Sequence, residues 1–484
     1  MKILLIEPNI NSYALLPTIS LSVLKGYINE KTKYKTEIVD LVFHKKDWKK
    51  YIINKISSEK PNLIGFSVLS FNFQDALKIA RFIKKNYDIP IICGGVHVIL
   101  SPETVIENKE VDIVCTGEGE IVLKEILDKN FNYGEIAGIW YKKNGKIYKN
   151  DKREMIQDLD KLAFPNFMDF DLDKYFLINN NHIPIMASRG CPYNCSYCSN
   201  HALRKKLIGK YVRFRSVDDV INEIELRIKQ YGKKGLKYLY FFDDTFILHK
   251  KFVKEFCKKF KQKGFHKIIK WNVNVRADLI SDEIIQTMKD AGCYQVRMGI
   301  EAGNDYIRNE IYKKNISKNQ IINAFKIIKE NKLQLRLYFI VGAPFETIDM
   351  MEESFNLARL SKADEIFFSG LYPLPGTKIK ELCDKEGLIK NNNEKYVKKP
   401  LMGYIEETKF TSNNQIQNYL LKIKRWQSNR YFLEGFALKN IHFLFDVIIF
   451  LIYYKHKYDF ELNQIYRWNV QRYKLNNLKL NGLK

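Results

Sequence analysis

Cysteine is scarce in this chain: its 484 residues include eight, and five of these are scattered without the spacing of a disulfide framework. The five are Cys93, Cys115, Cys257, Cys293 and Cys383. We therefore expect reduced, mostly buried thiols and no disulfide.

Signal-peptide features are also lacking, because the apolar run Ile3–Ile6 is shorter than the roughly 7–15 residues of a secretory core. These absences predict a cytoplasmic protein.

An apolar run long enough to cross a bilayer is lacking as well. The run Phe443–Tyr454 has 12 residues and contains Asp446, whereas a membrane-spanning helix needs about 20. We interpret it as a buried helix of the C-terminal region. A peripheral membrane contact is the alternative, because Lys455, Lys457 and Arg467 lie nearby in the sequence.

Negative charge is in deficit: 80 Lys and Arg residues against 55 Asp and Glu give a formal net charge of +25. The lysines are spread along the whole chain, which favours solvated faces over a nucleic-acid interface. No nucleic-acid partner is therefore expected, although the positive balance favours an anionic substrate. A non-catalytic, metal-dependent nucleic-acid binder is the alternative from another class, and it would lose affinity strongly with salt.

Short apolar strands alternate with amphipathic helices over residues 1–135, which predicts an α/β, doubly wound, Rossmann-like domain. The predicted strands are Ile3–Glu7, Glu37–Leu41, Leu63–Ser67, Ile91–Cys93 and Ile113–Thr116. Ligands of such domains bind at the carboxyl ends of the strands. The loops expected to bind a ligand are therefore Glu7–Tyr13, Ser67–Phe71, Gly94–His97 and Thr116–Glu120.

The rest of the chain divides into three parts. Residues 136–180 have little periodicity and predict a connector, with a hairpin around Asn144-Gly145. Residues 181–400 alternate again, and the predicted strands are Ile183–Ala187, Tyr238–Phe242, Trp271–Val275, Gln295–Gly299, Leu335–Val341 and Glu365–Gly370. Six strand-helix units predict a partial (β/α)6, TIM-like barrel rather than a closed one of eight. Residues 401–484 show no strand alternation and predict a mainly helical C-terminal region.

The most informative segment is Arg189–Asn200, which reads R-G-C-P-Y-N-C-S-Y-C-S-N and contains Cys191, Cys195 and Cys198. Three thiolates on one short loop suit a cubane [4Fe-4S] cluster, because they hold three irons and leave the fourth open to a substrate. Structural zinc is the alternative, with His201 as a fourth ligand. Zinc sites, however, usually pair C-x2-C units.

Polar residues lie at the carboxyl ends of the neighbouring strands of the predicted barrel. Functional residues of parallel barrels come from these ends. The residues at these ends are Asp243, Asp244, Arg276, Asp278, Glu301, Gly342, Glu346 and the segment Gly370–Gly376. As a set they predict a polar-ringed cofactor pocket. For Asp243, Asp244 and Arg276, a helix cap or a salt bridge is the alternative interpretation.

The pattern C-x3-C-x-aromatic-C, with Tyr197 as the aromatic residue, resembles the signature of the radical S-adenosylmethionine (radical SAM) enzymes. The segment Glu7–Glu120 is similar to the cobalamin-binding domain that precedes the barrel in one large subgroup. The resemblance implies a [4Fe-4S] cluster on Cys191, Cys195 and Cys198, together with S-adenosylmethionine and cobalamin. It also implies cleavage of S-adenosylmethionine to a 5'-deoxyadenosyl radical.

The resemblance further implies roles around S-adenosylmethionine. Gly299-Ile300-Glu301 looks like the motif whose acid contacts the ribose, and Tyr197 would pack near the adenine. Ile340, Gly342 and Glu346 match the second half of the pattern G-x-I-x-G-x-x-E, but position 338 is Tyr where the pattern has Gly. The expected site comprises Tyr197, Asp243, Arg276, Glu301, Gly342, Glu346 and Leu371.

For cobalamin, the resemblance points to the loops that contain Gly94-Gly95-Val96-His97 and Thr116-Gly117-Glu118-Gly119-Glu120. The expected contacts are Ser67, Gly94, Gly95, Val96, His97, Gly117, Glu118 and Gly119. The motif D-x-H-x-x-G, whose histidine ligates cobalt, is missing, since the corresponding loop reads Glu7-Pro8-Asn9-Ile10-Asn11-Ser12-Tyr13. Bound cobalamin would therefore lack a histidine lower ligand from that loop. A degenerate domain that binds no cobalamin is the alternative.

Cobalamin-dependent radical methylation of an unactivated carbon is the leading functional hypothesis. A cobalamin-associated radical oxidative cyclase or rearrangement enzyme is the alternative, because the sequence also resembles the anaerobic porphyrin-ring cyclases. Methylthiotransferases carry a second cysteine triplet in the N-terminal domain, where this chain has only Cys93 and Cys115. The expected partners are a small-molecule substrate, apolar to judge from the aromatic C-terminal region, and an electron donor such as flavodoxin or ferredoxin.

Overall fold

The computed structural model describes residues 1–11, 16–389 and 408–437, with side chains of the last helix described as far as residue 427. The predicted buried helix over Phe443–Tyr454, most of the region 401–484 and part of the loop Glu7–Tyr13 lie outside the described residues. Among the described residues, no helix combines the length and the apolar character needed to cross a membrane.

The first sheet contains seven strands in the order β2-β1-β3-β4-β5-β6-β7. They are β1 Lys2–Glu7, β2 Lys35–Asp40, β3 Leu63–Ser67, β4 Ile91–Gly94, β5 Ile113–Cys115, β6 Ile139–Lys143 and β7 Lys146–Lys149. Strands β1 to β5 are parallel. Ile3, Leu4, Leu5 and Ile6 are all buried, as expected of a parallel strand covered on both faces. The doubly wound fold is confirmed, and its strand order reverses between β1 and β3, which opens a crevice at their carboxyl ends.

The helices of this part cover both faces of the sheet. They are α1 Ile19–Lys31, α2 Trp48–Glu59, α3 Phe73–Asn86, α4 Val96–Leu100, α5 Pro102–Ile106 and α6 Gly119–Asp128. Helix α3 buries Ala76, Ile79, Ala80 and Ile83. These four residues share one face because they recur at the helical spacing of three and four.

The hairpin around Asn144-Gly145 exists, but it belongs to the first sheet rather than to a separate connector. Strand β6 pairs antiparallel with β5, and β7 pairs antiparallel with β6. Asn144 and Gly145 both have positive φ, at 51° and 73°, which is the conformation that a tight hairpin turn requires. The first sheet thus extends beyond residue 135, where the sequence placed the domain boundary.

The second sheet contains six parallel strands in the order β15-β14-β13-β12-β11-β8. They are β8 His182–Ile185, β11 Tyr238–Phe241, β12 Lys270–Val275, β13 Cys293–Glu301, β14 Gln334–Val341 and β15 Glu365–Gly370, while β9 Ser188–Arg189 and β10 Arg213–Phe214 form a separate antiparallel pair. Each strand lies next to the one that precedes it among these six, which is the order of a partial barrel. The predicted (β/α)6 architecture is confirmed.

Helices surround the second sheet. They are α7 Leu172–Asn179, α8 Ser199–Lys206, α9 Val217–Tyr231, α10 Lys250–Gln262, α11 Phe265–Ile268, α12 Asp282–Asp290, α13 Lys318–Glu330, α14 Ile348–Leu360, α15 Lys378–Lys385 and α16 Asn413–Ala437. Helix α16 packs its Ile416, Leu420 and Ile423 with Val341 and Phe355 in one apolar cluster. The described part of the C-terminal region is thus helical and covers the barrel wall at β14 and α14.

Candidate functional site

The three cysteines lie on the loop between β9 and α8, directly beyond the first barrel strand. Cys191 and Cys195 are buried, and Cys198 is half-buried. Two N–H donors reach the sulfurs: Asn200 Nδ2 lies 3.5 Å from Cys198 Sγ and Arg276 Nη1 lies 3.7 Å from Cys195 Sγ. Burial raises the pKa of Cys198 to about 11, which favours the thiol when no metal is bound. Three soft sulfur ligands with N–H donors beside them fit an iron-sulfur cluster.

The cysteine loop has a fixed shape. Gly190 has φ +89°, and a Cβ on it would lie 2.5 Å from the backbone oxygen of Tyr211, so this position requires glycine. Ser196 anchors the middle of the loop, because its N–H donates to Tyr312 O at 2.9 Å and its hydroxyl donates to Ile311 O at 2.6 Å. The loop is therefore positioned by protein contacts before any cluster binds.

The zinc alternative would need His201 as its fourth ligand. His201 Nε2 instead accepts a hydrogen bond from the Lys378 N–H at 3.2 Å. The residue expected as a fourth zinc ligand is thus engaged with the start of α15.

Tyr197 and Glu301 lie together at the carboxyl end of β13. The Tyr197 hydroxyl donates to Glu301 Oε1 at 3.0 Å, and Lys314 Nζ lies 2.9 Å from the same oxygen. Glu301 has φ +73°, and the register of β13 against β14 shifts at this point. A non-glycine residue in this conformation is strained, and such strain is concentrated at functional sites.

Arg276, at the end of β12, contacts the cysteine loop. Its guanidinium carbon lies 3.5 Å from the centre of the Tyr193 ring, and its Nη2 donates to Lys314 O at 2.9 Å. Its Nε pairs with Asp278 Oδ1 at 3.1 Å. The salt bridge that the sequence left open as an alternative is present, and the same side chain also reaches the cysteines.

The Asp243 carboxylate points back into the protein. Its Oδ2 accepts the Ala187 N–H at 3.0 Å, and its Oδ1 accepts the Ser188 hydroxyl. Burial raises the pKa of Asp243 to about 6. Asp243 therefore holds the segment that leads into the cysteine loop, and its contact with S-adenosylmethionine stays a prediction.

Glu346 is likewise turned towards the backbone. Its Oε2 accepts the N–H groups of Gly342, at 2.6 Å, and of Ala343, at 3.1 Å. Burial raises the pKa of Glu346 to about 8. Gly342 has φ +88°, and Leu371 is buried, with its N–H donating to Val341 O at 2.8 Å. Glu346 thus fixes the loop after β14 through two backbone N–H groups, and the contact of all three residues with S-adenosylmethionine stays a prediction.

A cavity of about 250 Å³ lies at the carboxyl ends of the first sheet, where it meets the barrel. It is lined by six of the eight residues expected to contact cobalamin, namely Ser67, Gly94, Gly95, Gly117, Glu118 and Gly119. Met186 and Arg189 line it from the barrel side. The cavity is therefore shared between the two predicted domains.

Val96 and His97, the other two residues expected to contact cobalamin, lie away from this cavity. Val96 packs with Leu100 and Leu203 against α8. The His97 Nδ1 lies 2.9 Å from the Ser70 hydroxyl, and burial lowers the pKa of His97 to about 4. Both residues belong to the predicted loop but are absent from the lining of the cavity, and their contact with cobalamin stays a prediction.

Glu118 and Arg189 join the cavity to the cysteine loop. Arg189 Nη1 lies 2.7 Å from Glu118 Oε1, and its Nη2 lies 2.7 Å from Glu120 Oε1. Arg213 Nη2 adds a contact of 2.9 Å to Glu118 Oε1. We call these four residues the Arg-Glu clamp. Because they carry two charges of each sign, their burial is electrically balanced.

The sequence did not indicate Arg189, Arg213 or Lys314 as site residues. Their partners lie 71, 95 and 13 positions away in the chain, so no local pattern connects them. A weak signal was available for Arg189 alone, which directly precedes the Gly190-Cys191 turn.

Comparison with known proteins agrees with this geometry. Residues 185–358 match the model of the radical SAM superfamily, and residues 9–127 match the model of the B12 binding domain. An uncharacterized methyltransferase of Pyrococcus horikoshii is 32% identical over 367 residues, which cover 75% of this chain and 77% of that protein. The chain belongs to the radical SAM superfamily and carries an N-terminal B12 binding domain. Its cofactors are a [4Fe-4S] cluster, S-adenosylmethionine and cobalamin.

Two further similarities extend this picture. The anaerobic magnesium-protoporphyrin IX monomethyl ester cyclase of Rubrivivax gelatinosus is 28% identical over 352 residues, 68% of this chain and 60% of that protein. The structure of the radical S-adenosylmethionine methyltransferase TsrM of Kitasatospora setae, with cobalamin and a [4Fe-4S] cluster, superposes with a TM-score of 0.66 at 18% identity. This match covers 79% of this chain and 75% of TsrM, and it shows a shared fold.

Proposed function

We propose that this radical SAM enzyme transfers a methyl group, with cobalamin as its carrier, to an unactivated carbon of a small molecule. The observation that carries the proposal is the Arg-Glu clamp, because Arg189 both lines the cavity at the B12 binding domain and directly precedes the cysteine turn. Cobalamin in the cavity and a cluster on the cysteine loop would therefore face the same reaction space. The methyltransferase relatives point to the same reaction.

The residue roles follow from position. Cys191, Cys195 and Cys198 would hold the cluster, with Arg276 and Asn200 donating towards sulfur. Tyr197 and Glu301 would bind the adenosine part of S-adenosylmethionine, while Gly342 and Leu371 would offer backbone carbonyl oxygens, since their N–H groups already donate within the protein. Ser67, Gly94, Gly95, Gly117 and Gly119 would form the cobalamin contact, because residues without a large side chain let the backbone approach a large ligand.

When bound, the cluster supplies the electron that cleaves S-adenosylmethionine, and cobalamin supplies a carrier for the methyl group. The protein residues bind, orient and exclude water. Atom balance requires two molecules of S-adenosylmethionine per turnover. One would be cleaved to methionine and 5'-deoxyadenosine, which carries away the hydrogen removed from the substrate, and the other would give up its methyl group and leave as S-adenosylhomocysteine. The cycle needs two electrons, one for the cluster and one for the methyl carrier, from an external donor for which flavodoxin or ferredoxin is the proposed class.

The test uses the full chain, reconstituted anaerobically with iron, sulfide and cobalamin, and incubated with S-adenosylmethionine and dithionite. We expect both 5'-deoxyadenosine and S-adenosylhomocysteine, with S-adenosylhomocysteine depending on cobalamin. The matched control is the Cys191→Ala/Cys195→Ala/Cys198→Ala variant, which should lose 5'-deoxyadenosine. Formation of 5'-deoxyadenosine without any cobalamin-dependent S-adenosylhomocysteine would contradict methyl transfer and leave a radical enzyme of another kind.

A further inference from the structure

The concave side of the barrel contains a charged layer that lies outside the residues proposed to hold the three cofactors. Along β14, the even-numbered residues from Gln334 to Ile340 are partly exposed, and the odd-numbered ones are buried against the helices. Even-numbered side chains of this strand therefore face the lumen. Arg336 is one of them, and it lies directly beside Arg297 of β13 in the strand register.

Contacts that skip a strand show that this layer spans the lumen. The Arg297 guanidinium carbon, on β13, lies 3.9 Å from the centre of the Tyr240 ring, on β11. Gln295 Nε2, also on β13, donates to Glu365 Oε1 on β15 at 2.7 Å. Strands β11 and β15 do not neighbour β13, so these side chains meet across the concave face.

The layer carries one positive charge in excess. Glu365 forms a salt bridge with Arg336 and accepts a hydrogen bond from Gln295, so its negative charge is matched by that of Arg336. Arg297 is 9% exposed and donates its Nε to the neutral Gln295 Oε1 at 3.1 Å. Among the described residues, Arg297 has no acidic partner. A buried charge of this kind is costly unless a counter-charge joins it.

The excess positive charge helps to lower the pKa of His182, which lies across the lumen on β8. Burial, followed by the charges of Arg297 and Arg336, lowers the pKa of His182 to about 3. Its Nε2 lies 2.8 Å from the Tyr294 hydroxyl. His182 is therefore neutral near pH 7 and adds no charge of its own, so the excess belongs to Arg297.

Aromatic side chains form the wall around this charge. Tyr240 stacks on Arg297, and Phe242, two residues further along, is 41% exposed. On the opposite side, the Tyr338 and Phe367 rings stack with their centres 5.6 Å apart. Arg297 precedes Glu301 by four residues on the same strand, about 13 Å along an extended chain. Arg297 thus lies about the length of one small molecule from the proposed adenosine site, towards the amino end of β13.

We propose that Arg297 binds the anionic end of the substrate, a carboxylate or a phosphate, while the aromatic lumen holds an apolar or aromatic body that reaches towards the cofactors. This rests on the proposed function, because it names the substrate class of the same site. Guanidinium groups suit such ligands, since they offer paired donors to two oxygens at once. The carboxylate of S-adenosylmethionine is the other source of the same chemistry, and the test separates the two.

The experiment measures binding to the full, anaerobically reconstituted chain by isothermal titration, without reductant. The probes are benzoate and phenyl phosphate, with benzamide as the uncharged counterpart, and S-adenosylmethionine is titrated separately. We expect the wild type to bind an anionic probe at least about tenfold more tightly than benzamide. Arg297→Gln should abolish this preference, and Arg297→Lys should keep part of it, because lysine retains the charge without the paired donors.

Arg359→Gln is the matched control, because Arg359 is exposed on α14, and it should behave like the wild type. Binding of both benzoate and phenyl phosphate no more tightly than benzamide to the wild type would overturn the proposal without any variant. A loss of S-adenosylmethionine affinity in Arg297→Gln would also overturn it, by assigning the arginine to the cofactor. Cobalamin-dependent S-adenosylhomocysteine, measured on the same preparation, shows separately whether the proposed function holds.

Discussion

Arg189 and Glu118 are 71 positions apart in the chain, and their side chains meet with Nη1 2.7 Å from Oε1. Arg189 is followed at once by the Gly190-Cys191 turn, and Glu118 lies on the wall of the cavity at the first sheet. A displacement of either loop would break this contact. The pair therefore fixes the distance between the B12 binding domain and the cysteine loop, which radical methyl transfer requires.

Replacing Glu118 by glutamine should lower both the stability of the fold and the affinity of the cavity for cobalamin. Arg189 would keep Glu120, but Arg213 would lose its only ion-pair partner among the described residues, Glu118. Breaking a buried pair in this way costs about 3–5 kcal/mol. We expect a lower free energy of unfolding in denaturant titration and weaker binding of cobalamin, measured by cobalt retained after gel filtration.

The control for this variant is Lys124→Ala, which removes an exposed pair with Asp128 on α6. Exposed pairs contribute about 0–1 kcal/mol, so cobalamin binding and stability should stay close to the wild type. If Glu118→Gln matches Lys124→Ala in both measurements, the clamp has no positioning role.

Gly190→Ala should prevent assembly of the cluster. The new Cβ would lie 2.5 Å from Tyr211 O at a φ of +89°, and both the contact and the conformation disfavour it. We expect little iron after reconstitution. Gly145→Ala tests positive φ alone, because φ there is +73° and no atom lies within 4 Å of the added Cβ. Normal iron content in Gly190→Ala would contradict the described loop geometry.

Glu346→Gln should change how stability depends on pH. The pKa of Glu346 is raised from 4.5 to about 8 by burial, so the folded state keeps a proton that the unfolded state releases above pH 4.5. The stability that this proton contributes is present below pH 4.5 and is lost as pH rises towards 8, by up to about 1.4 kcal/mol per pH unit. Glutamine is neutral throughout and can still accept from Gly342.

We therefore expect Glu346→Gln to be close to the wild type near pH 5 and more stable than the wild type at pH 9. Denaturant titration at several pH values measures this difference. A difference between the two proteins that does not vary with pH would show that Glu346 is ionised in the folded protein at neutral pH.

Much of the fold could be predicted from the sequence. The strands Leu63–Ser67 and Glu365–Gly370 have the predicted bounds, because apolar runs between turn residues define buried parallel strands. The hairpin at Asn144-Gly145 was also found, but its attachment to β5 was not. That attachment depends on pairing between distant strands, which a local pattern does not contain.

The site was less predictable than the fold. The cysteine triplet and the glycines that line the cavity have local spacing, so the sequence indicated them. For Asp243 and Glu346, a strand-end position does not distinguish a cofactor contact from a carboxylate that satisfies nearby backbone donors. Arg297 was not predicted as a candidate, because a charged residue inside a strand has no motif and its lack of an acidic partner within the described part of the chain is visible only in the fold.

We propose that one chain holds a cluster on Cys191, Cys195 and Cys198 and cobalamin in the neighbouring cavity. Iron, sulfide, cobalt and zinc should be assayed on the reconstituted wild type and on the Cys191→Ala/Cys195→Ala/Cys198→Ala variant. We expect about four iron per wild-type chain, lost in the variant, with cobalt retained in both. Zinc in place of iron, or iron that survives the triple substitution, would contradict it.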